Sequence, residues 1–195
     1  MPNNATIFPK SEVIAYLFQL IVNYNLSTAK HSCRVEKLAV GFAIRLGLSF
    51  QIIQLMSAAA LLHDIGKIII PKKILNKPEK LTKHEFEIIK QHPENGYHLL
   101  KKIDPLHQLE NLAEAILFHH ERYDGTGYPC GKEGDEIPLV ARILSIADVY
   151  EAITSNRVYH KAMTQKEAIK IIGEGKESHF DPYLVDVFLR IRDWK

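Results

Sequence analysis

This chain of 195 residues has two cysteines and one tryptophan, and its positive and negative charges nearly balance. Its two cysteines, Cys33 and Cys130, cannot supply the disulfide framework of a small secreted fold, which indicates a reducing compartment. A formal net charge of +2 is too small for a general binder of nucleic-acid polymers. The apolar run over 13–22 is too short to span a membrane and lacks the flanks of a signal peptide. These absences predict a cytoplasmic protein that binds neither a membrane nor a nucleic-acid polymer.

Helical periodicity dominates the chain, and no strand-like alternation of apolar and polar residues is evident. Capping boxes at Thr82 and Thr164 and a proline at Pro138 mark three helix starts. The pattern predicts one all-α domain over 1–195, with 1–26 as its N-terminal helical extension and an irregular loop over 121–137. The predicted helices cover 11–24, 28–46, 50–65, 82–91, 93–103, 106–120, 138–155, 165–175 and a last segment from 182.

Histidine and aspartate occur in settings where metal ligands are common. His119 and His120 are adjacent and precede a loop with four glycines, while Asp64 and Asp148 interrupt apolar segments. Buried carboxylates are costly unless they are paired, hydrogen-bonded or bound to a metal. Each histidine alone also fits an ordinary core or surface residue, but the whole set indicates a two-metal centre. The candidate ligands are His31, His63, Asp64, His92, His119, His120 and Asp148.

Several ordered motifs resemble one branch of a known family. HDIGK at 63–67, HHERYDGTGYP at 119–129 and IADVYEAITS at 146–155 resemble the HD-GYP branch of the HD metal-dependent phosphohydrolases. HSCRV at 31–35, HPENG at 92–96 and SNRVY at 155–159 extend the resemblance over nearly the whole chain. It implies an HD-type helical bundle with a Gly/Pro-rich GYP loop. It also implies an enzyme that opens cyclic di-GMP to linear pGpG, to GMP, or to both.

The resemblance also implies how the candidate ligands divide between two ions. His31, His63, Asp64 and Asp148 would hold one ion, and Asp64, His92, His119 and His120 the other, so that Asp64 bridges them. Two divalent or mixed-valence ions are implied, iron or manganese first, with nickel, cobalt or zinc also compatible with the ligand types. Two ions about 3.5–4 Å apart can hold an activated hydroxide that attacks phosphorus.

Lys67 and Arg157 match the family's phosphate contacts. The candidate catalytic residues are Lys67, through this contact, and Asp64, as the ligand that bridges the two ions. Further substrate contacts are expected at Tyr128, His160 and Lys161. His160 stands where the family commonly has a basic residue, and Lys161 is the cation next to it.

Two residues keep alternative roles. Tyr128 either contacts the substrate or packs the loop. Glu151, one turn after Asp148, either orients a ligand or is a solvated helix residue. The loop is also a candidate surface for a signalling-protein partner.

Two other functions stay open. The chain could be an HD phosphohydrolase for another nucleotide or phosphoester, or a domain that binds a cyclic dinucleotide or a partner without turnover. Some relatives hold a third ion through a glutamate that corresponds to Ser27 here, and Ser27 is better explained as a helix cap. Relatives usually carry a sensory domain ahead of this one, so the chain is either a stand-alone enzyme or a piece of a longer protein.

Overall fold

The computed structural model describes residues 11–104, 107–156 and 161–191. Within these ranges the chain is all-α and forms no strand, as the periodicity predicted. The α-helices are α1 (Ser11–Tyr24), α2 (Leu26–Arg45), α3 (Phe50–Leu62), α4 (Lys72–Leu75), α5 (Lys83–Lys90), α6 (His92–Ile103), α7 (Glu110–Leu117), α8 (Leu139–Thr154), α9 (Gln165–Glu174) and α10 (Pro182–Leu189). Short 3-10 helices cover Ile65–Ile69 and Gly134–Glu136.

The core lies where α2, α3, α7 and α8 pack together, with α1 on one side and α9 and α10 against α8. Phe42 and Phe188 meet edge to face there, with ring centroids 5.4 Å apart. Leu17 and Ile21 of α1 are buried in the same hydrophobic cluster. The segment 11–24 therefore packs on the bundle, while the extent of the domain over 1–195 stays a prediction.

Polar caps fix several helix starts at the predicted residues. Thr82 and Thr164 each form the full capping box, and Asp181 accepts from the backbone N–H groups of Tyr183 and Leu184. The start of α2 was predicted two residues late, and Ser27 was the wrong cap. Asn25 caps this helix by accepting from the N–H of Thr28 at 2.9 Å.

Two predicted helix ends were too long. Helix α3 ends at Leu62 rather than 65, and α7 covers Glu110–Leu117 rather than 106–120. The histidines explain the shorter helices, because His63 and His119 turn back onto carbonyls of the preceding turn, at Ala60 and Ile116. The predicted histidine pair therefore lies beyond its helix, in a turn.

One segment, Phe50–Ile69, is long and apolar enough to cross a membrane on length and composition alone. Half of its apolar window is buried inside the bundle, and the core helix of a soluble protein passes the same test. The segment also contains the change from α3 to the 3-10 helix at Ile65.

Candidate metal centre

Three histidines each follow or close a helix and cap its last turn. The Nδ1 atoms of His63, His92 and His119 lie 2.8, 2.8 and 2.6 Å from the carbonyls of Ala60, Ile89 and Ile116. Carbonyls in the last turn of a helix lie outside its regular hydrogen-bond ladder, so each can accept from a side chain. With the proton held on Nδ1, each Nε2 keeps a lone pair that faces Asp64 or another histidine.

The three capped helices are α3, α5 and α7, and their carboxyl ends meet at this point. A helix C-terminus carries partial negative charge and stabilises a nearby cation. The seven predicted ligands (His31, His63, Asp64, His92, His119, His120 and Asp148) are collected here, and we call them the histidine–aspartate centre. His31 comes from α2 and Asp148 from α8, while Asp64 and His120 follow His63 and His119 in the chain.

The centre divides into two groups of ligand atoms. Atoms of His31, His63 and Asp64 lie within 4.8 Å of one another, and so do those of His92, His119 and His120. Asp148 Oδ1 adds to the first group, 2.9 Å from His31 Nε2 and 3.9 Å from His63 Nε2.

Asp64 stands between the groups with one oxygen toward each. Its Oδ2 is 3.6 Å from His63 Nε2, and its Oδ1 is 3.3 Å from His92 Nε2. This carboxylate is 2% exposed, so its charge has little access to water.

The buried atoms fit a bound cation. Within the described part of the chain His63 Nε2 is buried without a hydrogen-bond partner, an arrangement that is costly unless an ion or water satisfies it. His92 Nε2 and His119 Nε2 face each other at 3.3 Å, and both of their Nδ1 atoms already face carbonyls. Two lone pairs that converge in this way repel each other unless a positive species lies between or beside them. Imidazole and carboxylate donors without a thiolate suit first-row transition metals.

The electrostatics separate the histidines into two kinds. Burial, helped by the cation of Lys67, lowers the pKa of His92 to about 3. Burial and the neighbouring His63 lower the pKa of His119 to about 4. Both are neutral at pH 7 and can act as ligands.

His31 behaves in the opposite way. Its burial alone would lower the pKa, but hydrogen bonds to Asp148 and Glu151 outweigh that effect and raise it to about 9. Burial likewise opposes the charge of Asp64, but Lys67 and the histidines hold its pKa well below the usual range. The two carboxylates that favour a proton on His31 would attract a metal cation in its place.

Lys67 comes from the 3-10 helix Ile65–Ile69. Its Nζ donates to Asp64 Oδ2 at 2.7 Å, and 22% of its side chain remains exposed. The ammonium group therefore borders both the buried carboxylate and solvent, and its contact with a substrate phosphate stays a prediction.

The close approach of Gly66 explains how this turn fits against α6. A Cβ at Gly66 would lie 2.0 Å from the carbonyl oxygen of His92. Only glycine permits this contact between the 3-10 helix and the start of α6.

The loop over 121–137 is irregular apart from the turn Gly134–Glu136, as predicted. Tyr128 stacks its ring on His120 at a centroid distance of 4.9 Å, and its N–H donates to the His120 carbonyl. The predicted loop-packing role of Tyr128 is therefore present in the structure, while a contact with substrate stays a prediction. Lys90 places its Nζ 5.0 Å from the centroid of the same ring.

Hydrogen bonds and close backbone contacts hold this loop in place. Glu121 is buried and accepts from the N–H of Cys130 at 2.7 Å. Gly127 leaves no room for a side chain, because a Cβ would lie 2.5 Å from the Cα of Glu121. The N–H groups of Tyr123 and Asp124 donate to carbonyls of the segment between α9 and α10. The glycine-rich sequence thus brings backbone close to the histidine pair.

The burial of Glu151 distinguishes between its two predicted roles. It is 2% exposed, so the interpretation as a solvated helix residue is wrong. Its carboxylate accepts from His31 Nδ1 and Arg34 Nε, and from Ser155 Oγ at 2.5 Å. Arg34 and Ser155 were missed from the sequence. Their spacings were informative, because Arg34 follows His31 by three residues and Ser155 follows Glu151 by four, on shared helix faces.

Two predicted substrate contacts, Arg157 and His160, lie outside the described residues. Lys161 is exposed. Its role in substrate binding stays a prediction, as do those of Arg157 and His160.

Comparison with known proteins gives a consistent family match. The family model described as "HD domain" matches residues 16–184. A protein of Vibrio cholerae serotype O1 named "Probable cyclic di-GMP phosphodiesterase" is 44% identical over 172 residues, 85% of this chain and 39% of that protein. The same organism's "3'3'-cGAMP-specific phosphodiesterase 3" is 39% identical over 155 residues, 80% of this chain and 33% of that protein. The chain therefore spans less than half the length of these curated relatives.

A solved structure supports the fold. The HD domain of the L. monocytogenes phosphodiesterase PgpH, determined in complex with cyclic-di-AMP, superposes with a TM-score of 0.68. The match covers 89% of this chain and 92% of the other at 21% identity. At this identity the likeness shows the fold alone.

Proposed function

Because the chain belongs to the HD domain family, in its HD-GYP branch, we propose that it is a metal-dependent phosphodiesterase that hydrolyses a cyclic dinucleotide. Cyclic di-GMP is the proposed substrate, and linear pGpG, GMP or both are the products. Relatives named as cyclic di-GMP phosphodiesterases, at up to 44% identity over most of this chain, support the choice.

The position of Asp64 is the observation that carries the proposal. One of its oxygens faces the His31–His63 group and the other faces the group of His92, His119 and His120. A carboxylate in this position can serve two ions at once. We propose that His31, His63, Asp64 and Asp148 hold one ion and that Asp64, His92, His119 and His120 hold the other.

The ions would supply positive charge beside the phosphate and a water of lowered pKa. Hydrolysis adds a water oxygen to phosphorus and breaks the bond to the 3′ oxygen, which takes up a proton. Lys67 is placed to neutralise the negative charge that develops on the phosphoryl oxygens. Tyr128 and Lys90 form one rim of the centre, where a base or a second phosphate would lie.

Iron or manganese is the proposed metal, with nickel, cobalt and zinc as further candidates. The donor set of imidazoles and carboxylates accepts all of them and contains no thiolate that would select zinc. Two ions per chain are expected, because the two groups of ligands share one carboxylate.

The test is a turnover panel on protein loaded anaerobically with iron or manganese. Cyclic di-GMP, cyclic GMP-AMP and a simple phosphomonoester are incubated separately, and the products are separated by chromatography and weighed by mass spectrometry. We expect cyclic di-GMP to be opened fastest, and Asp64→Asn protein to show no turnover. Protein that holds two ions but hydrolyses none of the three would refute the proposal.

Cyclic GMP-AMP is the second candidate substrate. The 39% identity with a relative named for that substrate favours it. Faster opening of cyclic GMP-AMP than of cyclic di-GMP would select this candidate.

A further inference from the structure

We propose that the two ion positions differ in strength, and that Glu151 is the positioning residue that makes the His31 side the tighter one. The inference rests on the two-ion centre of the proposed function. It concerns the order in which the ions bind, which is measured without any substrate.

The contrast lies in what holds each imidazole. Three histidines present Nδ1 to neutral backbone carbonyls, at Ala60, Ile89 and Ile116. His31 alone among these four presents Nδ1 to a carboxylate, that of Glu151. A carboxylate acceptor draws the Nδ1 proton more strongly and so makes Nε2 a stronger electron donor to a metal.

Burial and hydrogen bonds hold the carboxylate of Glu151 in position against His31. The carboxylate is 2% exposed, so water does not compete for it. Arg34 occupies Oε1 from α2, and Ser155 donates to the same oxygen at 2.5 Å, which leaves Oε2 directed at His31. Glu151 and Asp148 are one turn apart on α8, so one helix places a ligand and the acceptor behind a second ligand.

Charge supports the same order. The His31 side has two carboxylates as ligands, Asp64 and Asp148. The other side has three neutral imidazoles and shares only Asp64. Divalent cations favour the group with more negative charge.

The experiment titrates metal-free protein with Co²⁺, followed by visible absorption and calorimetry. Wild-type protein should bind two ions in two resolved steps. Glu151→Gln keeps the size of the side chain and removes its charge, and it should weaken the tighter step by about 10- to 100-fold while leaving the weaker step unchanged. Glu36→Gln is the matched control, since Glu36 is a half-buried acid of α2 that accepts from Ser57 at 2.8 Å and does not belong to the centre.

A second variant separates charge from packing. Glu151→Asp keeps the charge and shortens the side chain, so it should lose less affinity than Glu151→Gln. If packing were the cause, the order would be reversed. Circular dichroism of each metal-free variant establishes that it is folded before titration.

A double-mutant cycle assigns the affected step to the His31 side. Glu151→Gln combined with His31→Ala should weaken that step no further than His31→Ala alone, because both act on one ligand. Combined with His92→Ala, the two effects should add. Equal weakening of both steps by Glu151→Gln, or two indistinguishable steps in the wild type, would overturn the inference. Failure of the proposed function would appear differently, as two bound ions without turnover of any dinucleotide.

Discussion

Replacing Lys67 with methionine tests how the protein tolerates its buried carboxylate with and without metal. The change keeps the volume and the apolar stem but removes the only lysine within hydrogen-bond distance of Asp64 among the described residues. Asp64 is 2% exposed, so in the metal-free variant its charge loses its strongest partner. Breaking a buried ion pair from one side costs about 3–5 kcal/mol.

The lower end of that range applies to Lys67→Met. Lys67 keeps 22% of its side chain exposed, and His92 Nε2 stays 3.3 Å from Asp64 Oδ1. A loss of about 3 kcal/mol in a chain of this size lowers the Tm by roughly 6–12 °C. In metal-loaded protein the cations neutralise Asp64, and the loss should be much smaller. Turnover should fall by about 10- to 100-fold, because a charged hydrogen bond to phosphate contributes about 1.5–3 kcal/mol.

The measurement is thermal unfolding of metal-free and metal-loaded protein, together with product analysis by chromatography. Lys77→Met is the matched control, because Lys77 pairs with Glu85 at 2.7 Å with a similar exposure of 23% but lies outside the centre. It should change the Tm equally in both states and leave turnover unaltered. Equal destabilisation of both states by Lys67→Met, with normal turnover, would show that Lys67 supports the fold and does not contact substrate.

Three further changes have definite expected outcomes. Asp64→Ala should lose both ions by elemental analysis, and a variant that keeps two would show that this carboxylate is not shared. Gly127→Ala should lower the Tm and turnover, because its Cβ would lie 2.3 Å from the backbone nitrogen of Arg122, whereas Gly41→Ala, whose nearest neighbour atom is 3.5 Å away, should cost little. Burial and the nearby Arg122 lower the pKa of His179 to about 4, below its usual 6.5, so the unfolded chain takes up the proton first and stability falls as the pH drops from about 6.5 to 4. Denaturant unfolding at several pH values should show a shallower fall for His179→Gln, and equal falls would contradict this assignment.

The sequence by itself determined the elements that depend on local chemistry. Capping boxes need only residues three apart, so Thr82 and Thr164 marked their helix starts correctly. The cost of burying a carboxylate in an apolar segment is equally local, and it singled out Asp64 and Asp148. The ordered motifs then indicated the HD-GYP family, which the family match confirmed.

Only the tertiary structure decided where several helices end and what stands behind the ligands. Helical periodicity continues through His63 and His119, and nothing in the local pattern shows that each imidazole will turn back to a carbonyl of the preceding turn. The bond between His31 and Glu151 joins residues 120 positions apart, so it depends on the packing of α2 against α8. Asp64 can face two groups of histidines only because the carboxyl ends of α3, α5 and α7 meet at one point, and that meeting is a property of the packed bundle.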